Sequence, residues 1–369
     1  MMIYCSFMTE IFDFLPLERV LYGPGSISAL SSEVERLGGS RVLIITGHTV
    51  AHKTSLVERV IELLGRLHAG TFTEVRQHAP QSDIRRAAKM VLENQVDLLV
   101  SVGGGSAIDA AKAVAWQLAG EDGPPLHIAI PTTLSAAEFS HIAGFTVEGH
   151  ENSKDRIVDA GVTPRVVILD GDMTVETPAW LWASSGIRAL DHAVETLYAP
   201  GDHRIQSLLA LEAIRELFAC LPDSSRRSDN VSLRQRCQLA AWMSYFAPAA
   251  IKLGLSHRLS KSFGTTYNVP HGITSCITLP AVMRQMAVTH AQPLATMARA
   301  LQVVAPDSPD EEAALAAAGA VGDLVRRLDL PGRLRDVGVP REAIAQIARA
   351  AGGNPEQQAA SIRILQDAW

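Results

Sequence analysis

An α/β fold is what this sequence of 369 residues predicts, with a parallel sheet in the first half giving way to helices alone in the second. Three features lead there. Short apolar runs alternate with amphipathic helical text as far as Thr177, a glycine-rich turn closes one of those runs, and beyond Pro178 the strand signal stops.

From Arg41, RVLIIT reads as a buried strand, and after the polar break GHTVAHKT the segment SLVERVIELLGRL carries helical spacing. GTFTEV follows as a strand, SDIRRAAKMVLEN as a helix with Ser82 at the N-cap, DLLVSV as a strand and AIDAAKAVAWQLA as a helix. HIAIP and VVILD add two apolar strands, with the polar EGHENSKDRIVDAG between them as a hairpin or loop. Strands that alternate with helices pair in parallel and are covered on both faces, which accounts for their unbroken Val, Ile and Leu. A sheet domain over residues 1–178 is expected. After it, AWLWASSGIRALDHAVETLYA, RIQSLLALEAIRELFACL, LRQRCQLAAWMSYFAPAAIKL and EEAALAAAGAVGDLVRRL all carry helical spacing, so residues 179–369 are expected to form an all-helical domain.

Hydrophobic residues make up 47% of the chain and charged residues 20%, an ordinary globular balance with no stretch polar enough to favour disorder. A formal charge of -6, with Lys and Arg scattered, supplies no basic field for nucleic acid. Cys5, Cys220, Cys237 and Cys276 are too separated for a Cys-x-x-Cys site and too few for a disulfide scaffold, which points to a reducing, cytoplasmic setting. The opening MMIYCSFMTEIFDFLP lacks a basic leader, and nowhere do about eighteen apolar residues run together, so neither export nor a membrane span is expected. Met8 offers a second possible start.

The turn SVGGGSAIDAAK ends a buried strand with Gly103, Gly104, Gly105 and Ser106 and then starts a helix, leaving backbone N–H groups free for an anion. Alone, it reads equally well as a structural helix cap, and it matches neither G-x-G-x-x-G nor the P-loop. A second loop, PTTLSAAEFS, brings the hydroxyls of Thr132, Thr133 and Ser135 to the carboxyl end of another strand, where open parallel sheets bind ligands. Two polar loops at one sheet edge favour a cofactor crevice. Of the twelve histidines, His192, His257 and His271 stand in the segments GIRALDHAVE, GLSHRLSKSFG and NVPHG. Any one of them reads as an ordinary hydrogen-bonded histidine.

In combination, GGGSAIDAAK, PTT-x-x-x-x-E, G-x-x-A-x-x-H-A-x-E, H-x-x-x-x-x-F-G and VPHG resemble the iron-containing alcohol dehydrogenase family over nearly the whole chain. The resemblance implies a Rossmann-like dinucleotide-binding domain, a helical catalytic domain and a cleft between them, with a homodimer as the assembly. The family's metal site takes one Asp and three His, and the three His positions fall on His192, His257 and His271. The Asp position falls on Arg188. A guanidinium there repels a divalent cation and removes its only anionic ligand, so no tightly bound metal is expected. Asp191 points about 100° around the helix from His192, which argues against its standing in. The alternative for Arg188 is a surface residue paired with Asp191 at i,i+3.

Within the family the chain looks most similar to the maleylacetate reductases, which share the short PTT-x-x-x-x-E loop and lack the aspartate. The activity so implied is NADH- or NADPH-dependent reduction of maleylacetate, an oxo-dicarboxylate, to 3-oxoadipate. Arg188, His192, His257, His271 and, with less force, Lys261 are then the catalytic candidates. The resemblance carries Gly103, Gly104, Gly105, Ser106, Asp109, Thr132, Thr133, Ser135 and Lys154 to the cofactor. Gly47 stands where the family often has an acidic residue on the adenosine ribose, so a 2′-phosphate is tolerated, with His48 beside it. The rivals are a metal-dependent alcohol or aldehyde dehydrogenase, a lyase like the dehydroquinate synthases, and a catalytically silent cofactor-binding protein.

Overall fold

The computed structural model of the protein describes residues 12–121, 123–147, 154–201, 203–264 and 266–369. Cys5 and Met8 lie outside them. The first half comprises β1 (Arg19–Tyr22), α1 (Leu30–Arg36), β2 (Val42–Thr46), α2 (His48–Lys53), α3 (Leu56–Leu64), β3 (His68–Phe72) and α4 (Gln81–Glu93). There follow β4 (Leu98–Gly103), α5 (Gly105–Gln117), β5 (Leu126–Pro131), β6 (Ile142–Thr146), β7 (Lys154–Val158) and β8 (Val166–Leu169).

Six strands form one parallel sheet in the order β1-β8-β5-β4-β2-β3. The central strands β2 and β4 are buried at every position, because separate apolar clusters pack on the two faces. The chain leaves β2 toward β3 and returns to place β4 on the other side of β2. That reversal opens a crevice at the carboxyl ends of β2 and β4, the usual ligand position in such sheets.

Several local expectations are corrected. Strand β1 was not foreseen, being a four-residue edge strand whose ends are exposed. The third strand runs over His68–Phe72, two residues earlier than GTFTEV. The polar break contains helix α2, which starts immediately after Gly47. Pro80, not Ser82, occupies the N-cap position of α4, and the Ser82 hydroxyl instead accepts from Arg76. The polar stretch before β8 yields β7, paired antiparallel with β6; its residues 148–153 lie outside those described.

The second half holds α6 (Ala179–Leu197), α7 (Arg204–Arg226), α8 (Val231–Ser244), α9 (Leu255–Gly264) and α10 (His271–Met286). It continues with α11 (Ala291–Ala300), α12 (Asp310–Arg327), α13 (Ile344–Ala350) and α14 (Pro355–Asp367), and no strand occurs among the described residues there. The helix expected to reach Leu253 stops at Ser244. These helices share one core, which Leu134 from the PTT loop enters. That loop is bonded to α6 and to the segment that leads into it: Leu134 N–H donates to Ser185 Oγ at 3.0 Å and Thr177 Oγ1 to Thr132 O at 2.8 Å. Cys220, Cys237 and Cys276 are free and buried. No described helix is long and apolar enough to cross a membrane.

Candidate active site

At the end of β4 the chain turns through Gly103, whose φ of +146° is a region L side chains avoid. Gly104 sits at the N-cap of α5 in an extended conformation. A Cβ on Gly104 would meet Thr133 Cγ2 at 3.0 Å, and one on Gly105 would meet Ser135 Oγ at 3.3 Å. The two polar loops are therefore in contact, and Thr132 N–H donates to Gly103 O at 3.0 Å to lock them. The Thr133 hydroxyl is buried with no hydrogen-bond partner among the described residues. Small residues, outward N–H groups and an orphaned hydroxyl make a cradle that fits a pyrophosphate.

The other cofactor candidates are distributed around this cradle. Gly47 lies at the end of β2, across the crevice, where a Cβ would meet Val75 O at 3.0 Å. His48 follows it and stacks on His52 at 4.2 Å. Ser106 Oγ accepts from His78 N–H at 3.1 Å, and Asp109 Oδ2 accepts from Gly144 N–H at 3.3 Å, tying α5 to the β6–β7 hairpin. Lys154 begins β7 opposite Thr146, and its side chain is outside the described structure.

Two charged residues inside the quoted motifs went unassigned. Lys112, fully buried on α5, donates to Ala137 O and to Ile142 O, the latter at 3.1 Å. Burial lowers its ammonium to about 8 against the opposing pull of Asp109 and Glu138. Glu138 is likewise buried, and burial raises its carboxyl to about 7. Lys112 thus clamps the far end of the PTT loop, a role that needs a cation two turns into the helix after the glycines.

Across the crevice, α6 is buried at every position from Trp182 to Thr196 except Arg188. The Arg188 side chain is only 13% exposed, which rules out a surface role. Its guanidinium donates to Ser275 Oγ at 3.1 Å and lies 3.8 Å from Asp191 Oδ2. Burial holds it below the usual arginine value, while Asp191, Glu195 and Tyr245 oppose the fall. His192, one turn on, is stacked between Tyr245 at 4.3 Å and His257 at 4.9 Å. Burial, His257, Arg188 and Lys261 push His192 well below the ordinary imidazole value.

His257 enters from α9, and its Nδ1 hydrogen-bonds Glu195 Oε2 at 2.6 Å. Burial, then the Arg188 charge, lowers it to about 3. Glu195, raised to about 7 by burial, also accepts from Gly254 N–H at 2.6 Å and Ser256 N–H at 2.7 Å. Asp191 Oδ2 accepts from Ser256 Oγ at 3.1 Å and Ser275 Oγ at 2.7 Å, and lies 3.6 Å from His257 Nδ1. The rotation of about 100° from His192 does not carry Asp191 away from the cluster, because α6 is enclosed on all sides here. Asp191, Glu195 and His257 bring their ligand atoms within 4.8 Å of one another, a grouping that could hold a cation.

His271 starts α10, half-buried. Gly272 beside it lets that helix approach α6, since a Cβ there would meet Ser184 O at 2.5 Å. Lys261 is solvent-exposed on α9, yet desolvation with Arg188 and Arg156 lowers its ammonium, against Asp109. The cleft wall is thus cationic at its rim and neutral at its imidazoles, suited to an anionic substrate whose charge increases during reaction.

Residues 17–171 match the family described as iron-containing alcohol dehydrogenase, and residues 182–363 match its Fe-containing C-terminal family. The chain is 31% identical over 339 residues to maleylacetate reductase from Burkholderia cepacia, covering 92% of this chain and 90% of that one. The crystal structure of maleylacetate reductase from Rhizobium sp. strain MTP-10005 superposes with a TM-score of 0.82 at 28% identity, covering 98% of this chain and 99% of that one. That from Agrobacterium tumefaciens gives the same TM-score and coverage at 27% identity.

Proposed function

The chain belongs to the iron-containing alcohol dehydrogenase family and is an oxidoreductase that uses a nicotinamide cofactor; from that premise we propose that it reduces maleylacetate to 3-oxoadipate. The observation that carries the substrate is Arg188, a buried guanidinium beside His192 and His257 where the family's metal sites have a carboxylate.

Gly103, Gly104, Gly105, Ser106, Thr132, Thr133 and Ser135 would hold the dinucleotide, with Asp109 and Lys154 supporting it, and reduced nicotinamide supplies hydride when bound. Gly47 presents no carboxylate to a 2′-phosphate, so both NADH and NADPH are accommodated. Maleylacetate has a carbon–carbon double bond conjugated to a ketone between two carboxylates. Reduction at the alkene carbon β to the ketone develops negative charge on the ketone oxygen. Arg188 pairs with a substrate carboxylate or with that oxygen, and its pairing strengthens as the charge grows. His192 and His257, held neutral, supply shape and hydrogen bonds. That leaves the proton for the α-carbon to the two groups nearer solvent, His271 and Lys261.

On this reading the pocket holds no iron or zinc tightly, and the charge of Arg188 is the argument for it. Arg188 places a cation in the histidine pocket, and Glu195 and Asp191 Oδ2 are already engaged by Gly254, Ser256, Ser275 and His257, which leaves Asp191 Oδ1, His192 Nδ1 and His257 Nε2 as buried atoms without a hydrogen-bond partner among the described residues. We therefore read the reaction as metal-independent. A second reading, a metal-dependent dehydrogenase in which Asp191 supplies the lost ligand, draws on the convergence of Asp191, Glu195 and His257. Homodimer assembly belongs to the first reading, with an edge strand at β1 and exposed Phe14 and Tyr22 in its support.

The test is an assay of the purified protein with maleylacetate and either nicotinamide, followed by loss of reduced-cofactor absorbance. Turnover with formation of 3-oxoadipate is expected. Absence of turnover, with oxidation of simple alcohols instead, overturns the substrate.

A further inference from the structure

The loop between β3 and α4 contains two consecutive non-glycine residues in the left-handed region, His78 at φ +65° and Ala79 at φ +44°. Each such residue costs about 1–2 kcal/mol relative to right-handed backbone, and strain of this kind persists only where the surroundings enforce it. Here they do. His78 N–H donates to Ser106 Oγ at 3.1 Å, and Ala79 N–H donates to Arg76 O at 3.1 Å. On the other side Thr146 donates to His78 O through Oγ1 and to Ala79 O through its N–H, both at 3.4 Å.

These bonds use main-chain atoms of His78 and Ala79, and those of His78 would be provided by asparagine or glycine at lower conformational cost. What the turn does with the ring is specific. It carries the imidazole across the cleft to His271, edge to face with centroids 5.1 Å apart and planes at 72°. Gln77 Nε2 touches its Nε2 at 3.3 Å. The ring thus stands between the glycine cradle on α5 and the start of α10, joining the sheet half to the histidine pocket.

Resting on the reading of the substrate as an enone dicarboxylate, we propose that His78 is a further catalytic residue whose imidazole contacts that substrate from the sheet side of the cleft, beside His271. Arg188 and Lys261 approach from the helical side. A dicarboxylate spanning the cleft meets donors at both ends, and His78 supplies the one on the cofactor's own wall. Its stored strain fixes the ring before substrate arrives, so ordering it costs nothing at binding.

The full-length protein with His78→Asn and with His78→Gly tests this, since both replacements tolerate the φ and keep the N–H on Ser106. The expected result is a fall in kcat/KM for maleylacetate of about tenfold or more. Affinity for NADH, read by quenching of its fluorescence, should stay within about twofold, and the melting temperature should not fall. Variants with kcat/KM within about twofold of wild type would overturn the contact. So would a fall matched by an equal loss of NADH affinity, which would make His78 a support of the phosphate loop. A wild-type protein unable to reduce maleylacetate would defeat the proposed function and this contact with it, whereas an active wild type with equally active variants defeats the contact alone.

Discussion

Arg188→Ala should lower kcat/KM for maleylacetate by roughly ten- to hundredfold, since a charge-assisted pair in a desolvated site contributes about 1.5–3 kcal/mol. Cofactor affinity should change much less, because Arg188 lies on α6, across the crevice from the glycine cradle. Arg188→Asp should cost more. It removes the substrate's partner, sets a carboxylate beside Asp191 and Glu195, and rebuilds the donor set of Asp with His192, His257 and His271. That variant should gain affinity for zinc, measurable as metal retained after gel filtration. Steady-state kinetics on maleylacetate decide the matter: full activity in Arg188→Ala would show that the guanidinium serves the Ser275 and Asp191 network alone.

Gly104→Leu should raise the dissociation constant for NADH by about a hundredfold or more, the scale of losing charge-assisted bonds from several N–H groups to a pyrophosphate. The added Cβ meets Thr133 Cγ2 at 3.0 Å, and the remainder of the side chain has to occupy the cradle or displace the PTT loop. Displacement is itself costly, because that loop is bonded to Ser185 and Thr177. Fluorescence titration with NADH reads the effect, and circular dichroism confirms that the variant is folded. An unchanged dissociation constant in a folded variant would remove the cradle from the cofactor site.

The strands legible in the sequence were those buried on both faces. RVLIIT, DLLVSV, HIAIP and VVILD announce themselves because every position after the leading Arg41 and Asp97 is buried, whereas β1 and β3 lie at the sheet edges, carry mixed exposure and leave a weaker pattern. Helix α2 was hidden because HTVAHK has no buried residue and hence no apolar stripe. In the cleft, motif order alone drew attention to Arg188 and the three histidines. Asp191 was set aside on single-helix geometry, which fails where α6 is enclosed on every side. Glu195 stood in the quoted G-x-x-A-x-x-H-A-x-E pattern, but its grip on His257 depends on α9 crossing α6, a tertiary fact with no local signature. His78 left no trace, since a left-handed histidine in a loop has neither periodicity nor motif.

Chelation tests the account most directly, because the exchange of a metal-binding carboxylate for Arg188 underlies both the substrate and the chemistry proposed. Maleylacetate reduction should be measured before and after exhaustive dialysis against a strong chelator, with iron and zinc determined on the same samples. The account predicts undiminished kcat at far less than one metal ion per chain. Loss of activity on chelation, restored by iron or zinc, would contradict it and place a metal with Asp191, Glu195 and His257.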